Sequence, residues 1–123
     1  MAIILDADVI IRGEKGTFDF NNWVASRPND QFDVATITVA ELWHGVEGAV
    51  GSHKVKRQQY LQPILNVLPI IPYTEQTVYE HARIWAELES ANKMIGFHDL
   101  IVAATALEHG SEVVKGLNIV EPK

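Results

Sequence analysis

A short apolar run, Ala2 to Leu5, stops abruptly at an aspartate. Such a run has no polar alternate positions to turn toward solvent. It therefore predicts a strand covered on both sides, as in the parallel sheet of an α/β protein. Asp6 then stands at the strand's carboxyl end. Comparable runs recur downstream: a strand near Asp33 to Thr36, Ile70-Ile71 between two prolines, Glu112 to Val114, and Leu117 to Val120. Helical spacing fills the gaps. Phe18, Phe20, Trp23 and Val24 precede a break at Pro28, and Val55 to Leu68 form an apolar stripe beside Lys54, Lys56 and Arg57. Val78, Ala82, Trp85 and Leu88 repeat along a helix starting at Thr74. Strands alternating with helices predict an α/β layer fold with a mainly parallel sheet, in which function collects at the carboxyl ends of the strands.

Two further segments place acids at those ends. Thr38 can cap a helix beginning at Val39, which puts Glu41 in the first turn, where the helix dipole favours a carboxylate. Asp99 opens a helix, Leu100 to Glu108, that is apolar almost all round and so predicted to be buried, with His109-Gly110 ending it. The segment Val9 to Ile11 fits either a longer first strand or a helix.

Asp6, Glu41 and Asp99 can thus all face one crevice. Carboxylates crowded into a pocket of low dielectric repel each other unless a cation lies among them, and hard oxygen ligands select Mg²⁺ or Mn²⁺. Asp8 can point into the same pocket or brace the loop around Asp6. With no cysteine in the chain, thiolate metal sites, disulfides and a cysteine nucleophile are excluded. The formal charge of -6 argues against a broad nucleic-acid-reading surface but is compatible with a nuclease whose acids are neutralised by metal.

These residues carry a family resemblance. The blocks IILDADVII, ATITVAELWHGV and IGFHDLIVAATALEHG resemble, in order and spacing, the three acidic motifs of PIN-domain ribonucleases, in particular the VapC-type toxins of toxin-antitoxin pairs. The resemblance implies a single domain over 1–123 with a three-layer α/β/α fold and a small, mainly parallel sheet. It implies a metal-dependent endoribonuclease with Asp6, Glu41 and Asp99 as catalytic metal ligands, Asp8 assisting, and Mg²⁺ or Mn²⁺ as cofactor. RNA as substrate, a cognate antitoxin whose peptide lies over the groove, and a homodimer complete the set. With no membrane-length apolar run and no leader-like N-terminus, a cytoplasmic location is expected.

The chain departs from the pattern near 114–115. Ser111 to Val114 runs straight into Lys115-Gly116-Leu117, without the turn and short helix that carry a fourth acidic or amide residue in similar proteins. A catalytically weakened PIN domain acting as an antitoxin- or RNA-binding module is therefore one alternative, with Glu112 a poor substitute for the missing group. A haloacid-dehalogenase-type phosphatase is another, since IILDADV also fits its opening motif, although the downstream lysine and paired aspartates it needs are absent after Asp99.

Around the acids, Arg12 and Lys15 are the expected phosphate contacts. Lys54, Lys56 and Arg57 read as a solvated face. His98 reads as a helix-start residue at the groove edge, and His44, His53, His81 and His109 as surface or boundary residues. Trp43 and Trp85 read as core or dimer-interface aromatics.

Overall fold

The computed structural model describes residues 1–115; the expected run Leu117 to Val120 lies outside them. The elements in chain order are β1 (Ala2–Leu5), α1 (Ala7–Glu14), α2 (Phe20–Ala25), β2 (Gln31–Ala35), α3 (Thr36–Gly48), α4 (Gly51–Val67), β3 (Ile70–Ile71), α5 (Glu75–Ser90), α6 (Phe97–His109) and β4 (Glu112–Val114). The strands form one sheet in the order β3-β2-β1-β4, and every pairing is parallel. All carboxyl ends therefore share one edge.

Alternation along β1 divides the core. Ile3 and Leu5, with Phe32 and Val34 of β2, face a cluster built from α1 to α4 in which Trp23, Val9, Ile10, Leu42 and Leu61 are buried. Ile4 faces the other way, onto Val102 and Ala106 of α6. Helix α5 packs outside α6 through Ile84 against Leu100 and Ala104. Helices on both faces of the sheet make the three-layer α/β/α arrangement. The small side chains of α6 let it lie close to the sheet, and Gly110 ends it at φ 65°, a left-handed cap that glycine adopts without strain.

Several expected boundaries move. The segment after Asp6 is helix, because the Asp6 side chain accepts the Ala7 amide and starts α1 at once. Helix α3 begins at Thr36 rather than after Thr38, so Thr38 is buried inside the helix and Glu41 falls in the second turn, beyond the reach of the dipole argument. Helix α6 starts at Phe97 with Gly96 as its cap, which puts Asp99 in the first turn instead of at its opening. On α5 the buried positions are Thr77, His81 and Ile84, while Val78 and Trp85, on the apolar repeat the sequence shows, are each 43% exposed. The polar side chains win that face because Glu108 accepts from Thr77 at 2.7 Å and Tyr73 meets His81 at 2.8 Å.

Candidate metal centre

Asp6 is fixed twice at the carboxyl edge of the sheet. Its amide donates to the Val114 carbonyl of β4 at 3.0 Å, and its Oδ1 accepts from Ala7 at 2.8 Å. This capping role uses one oxygen only. The other makes no hydrogen bond among the described residues. Burial raises the Asp6 pKa above its ordinary value; the Ala7 hydrogen bond opposes this, the charges of Asp99 and Asp8 add to it, and Lys115 opposes it.

Glu41 projects from the second turn of α3, and its Oε1 is buried without a hydrogen-bond partner. Its pKa too is raised, first by burial and then by the charges of Asp6 and Asp99, with His98 acting the other way. Asp99 completes the set from the first turn of α6, its Oδ2 turned back toward Gly96, within 3.5 Å of where a side chain there would begin. Asp6, Glu41 and Asp99 therefore stand in one another's fields. They line a space rather than close on a point: among the described residues no group of three or more His, Asp or Glu side chains is spaced to hold an ion outright. A buried carboxylate oxygen with no donor, beside two further acids, is nonetheless the chemistry a hard divalent cation satisfies.

The structure sorts the neighbouring candidates differently from the sequence. Asp8 is turned to the exposed side of α1, where its carboxylate pairs with Arg12 at 3.2 Å. Its negative charge reaches Asp6, but Asp8 is occupied by Arg12 and Arg12 by Asp8. Lys15, exposed at the end of α1, lines a small cleft of about 230 Å³ together with Glu14, Glu41 and Arg57. A second cleft of about 430 Å³ is lined by Glu41 together with Ala40, His44 and His98. Sequence reasoning passed over His44, although its position three residues after Glu41 puts both on one helix face. It also passed over Lys115, which only the β1–β4 pairing brings near Asp6. Glu112 pairs with Ile3, two steps back from the acid edge, and is exposed, so it does not replace a fourth acid.

A parallel sheet with helices on both faces and acids gathered at its carboxyl edge defines a class, and the sequence fits it: the PIN domain family model matches residues 3–116, and the chain belongs to that family. Among its relatives is Ribonuclease VapC1 of Rickettsia felis, 31% identical over 111 residues, which span 89% of this chain and 81% of the relative. Similar solved structures include VapBC2 from Rickettsia felis bound to a DNA fragment from its promoter, with a TM-score of 0.82 and 24% identity over 92% of this chain and 85% of that one. FitAcB from Neisseria gonorrhoeae matches with a TM-score of 0.73 and 29% identity, covering 90% and 84% of the two chains. Membership of the PIN family removes the haloacid-dehalogenase-type alternative. Among the described residues no helix is long and apolar enough to cross a membrane.

Proposed function

We propose that the chain is a divalent-metal-dependent endoribonuclease, the toxin of a type II toxin-antitoxin pair, with Asp6, Glu41 and Asp99 as its metal ligands. The observation that carries this reading is the unpartnered, buried Oε1 of Glu41 in the field of Asp6 and Asp99. Mg²⁺ or Mn²⁺ suits an all-oxygen set, and when bound it supplies Lewis acidity for in-line attack of water on an RNA phosphodiester. The protein's own part is placement. Asp6 is held by its cap bond with one oxygen left over, Asp99 is held by the first turn of α6, and Glu41 is held on α3, lining two clefts. Lys15 at the mouth of the smaller cleft is the better phosphate contact, since Arg12 must first leave Asp8.

RNA as substrate agrees with the ribonuclease relative of Rickettsia felis. The proposal includes a cytoplasmic toxin restrained by an antitoxin peptide lying over the acid groove. It also includes a homodimer formed through the outer face of α5. There Val78 and Trp85 are exposed, and Trp85 stacks on His81, which with Tyr73 and Phe97 lines a cleft of about 310 Å³ and has a buried, unpartnered Nε2. Exposed apolar surface gathered this way is characteristic of protein contacts.

Incubating the purified protein with total RNA and Mg²⁺, beside Asp99→Asn, tests the reading. Cleavage by the wild type that the variant lacks is expected. Uncut RNA from both would favour the weakened module that the missing fourth acid near 114–115 raises.

A further inference from the structure

We propose that Arg57 is a positioning residue for the acid site, setting the distance between Glu41 and Asp6 by clasping the far ends of their two helices. The inference rests on the metal-site reading above.

Arg57 belongs to α4, beside Lys54 and Lys56, but its guanidinium turns inward. Its Nε donates to Glu14 Oε2 at 3.2 Å and its Nη1 to the Gly45 carbonyl at 3.2 Å. Glu14 is the last residue of α1, the helix that Asp6 caps at the other end. Gly45 lies one turn beyond Glu41 on α3. A single side chain therefore joins the helix led by one acid to the helix carrying another.

The details are those of a fitted contact. The Gly45 carbonyl is among the last four of α3, and the amide that would otherwise serve it, Ala49, bonds to Val46 instead. Helix α3 has no basic residue in its own last turn, so the cation from α4 answers both the free carbonyl and the negative end of the dipole. A Cβ at position 45 would stand 3.0 Å from Nη1, so glycine is what lets the guanidinium approach. One planar fork makes both bonds; an ammonium lacks that shape. Tyr60, a turn further along α4, donates to the Ile10 carbonyl at 2.9 Å and keeps α4 against α1. Arg57, Glu14, Gly45 and Glu41 all line the same small cleft.

A merely stabilising ion pair would not need this arrangement. The Arg57 side chain is 38% exposed and that of Glu14 19%, and pairs that wet contribute little to folding. Placement is a different matter, because carboxylates that only line a space respond to a small rotation of α3. Outer groups that orient metal ligands typically change metal affinity about 10- to 100-fold when removed.

Isothermal titration with Mn²⁺, on proteins shown by circular dichroism to be folded, tests this. Arg57→Ala and Gly45→Ala should each bind Mn²⁺ more weakly, by up to about tenfold, with Arg57→Lys recovering part of the loss. RNA cleavage should lose kcat with little change in KM. Arg83→Ala, which breaks an exposed cluster with Glu80 and Glu87 on α5, should match the wild type. Should Arg57→Ala fail to fold, Gly45→Ala decides, since it keeps both charges. Wild-type Mn²⁺ affinity in a folded clasp variant overturns the inference alone. Absence of Mn²⁺ binding by the wild type overturns the metal-site reading and the inference with it.

Discussion

Asp6 and Asp99, carried by the end of β1 and the first turn of α6, meet across the sheet edge closely enough that the charge of Asp99 adds to the raised pKa that burial gives Asp6. Asp6 and Glu41 both titrate above their ordinary values of 3.8 and 4.5. In the window between those values and the raised ones, the folded chain binds more protons than the unfolded chain, so stability falls as pH rises through it. The metal-free protein is therefore expected to lose melting temperature as pH is raised upward from about 4.5 through that window. Asp6→Asn should remove part of that slope. Melting curves in EDTA check it, and a flat or rising trend would contradict the raised pKa values that burial, aided by the neighbouring acids, gives the two groups. Asp30, lowered mainly by Arg27, loses its contribution only as pH falls further and does not reverse the sign.

A bound cation reverses the slope, because it needs the same carboxylates ionised. Mn²⁺ at about one hundred times its dissociation constant should stabilise the fold by about 2.7 kcal/mol, a rise in Tm of roughly 10 °C. Glu41→Gln should lose most of that rise while folding normally. An equal rise in Glu41→Gln would place the ion elsewhere.

What the sequence disclosed and what it hid follow from the range of the forces involved. Asp6, Gly110 and the buried α6 were legible because strand ends, caps and all-round apolar helices leave local marks. The buried side of α5 was not, since Thr77 and His81 turn inward only for Glu108 and Tyr73, residues the chain brings close by folding. Arg57 was hidden for the same reason, its partners lying 43 and 12 residues away. The helical setting of Glu41 was read for the wrong reason, as α3 starts earlier than a capping threonine predicts.

Gly13 of α1 faces Phe20 of α2 and Tyr60 of α4. A Cβ there would strike the Tyr60 hydroxyl and lie 2.7 Å from the Phe20 Cβ. Gly13→Ala is expected to destabilise the fold by about 1–3 kcal/mol through overpacking. Tyr60→Phe alone should cost about 1 kcal/mol for the lost bond to the Ile10 carbonyl. The double variant should lie above the sum of the two, because removing the hydroxyl makes room for the methyl. Urea unfolding of the four proteins measures this, and strict additivity would show that the clash with Phe20 dominates.

Trp85 stacks on His81 at 5.6 Å between ring centroids while remaining 43% exposed, so one face of the indole is used and the other is free. If a second copy of the chain covers that face, Trp85→Glu would bury an unpaired charge at the contact and remove an aromatic anchor of the kind that dominates interfaces. Self-association should weaken at least about a hundredfold, near 2.7 kcal/mol, while the fold loses only the stacking contribution of about 1 kcal/mol. Sedimentation equilibrium on wild type and variant separates the two effects, with circular dichroism reporting the fold. A wild type that stays monomeric at high concentration, or a variant that dimerises as well as the wild type, would leave the outer face of α5 without its proposed partner.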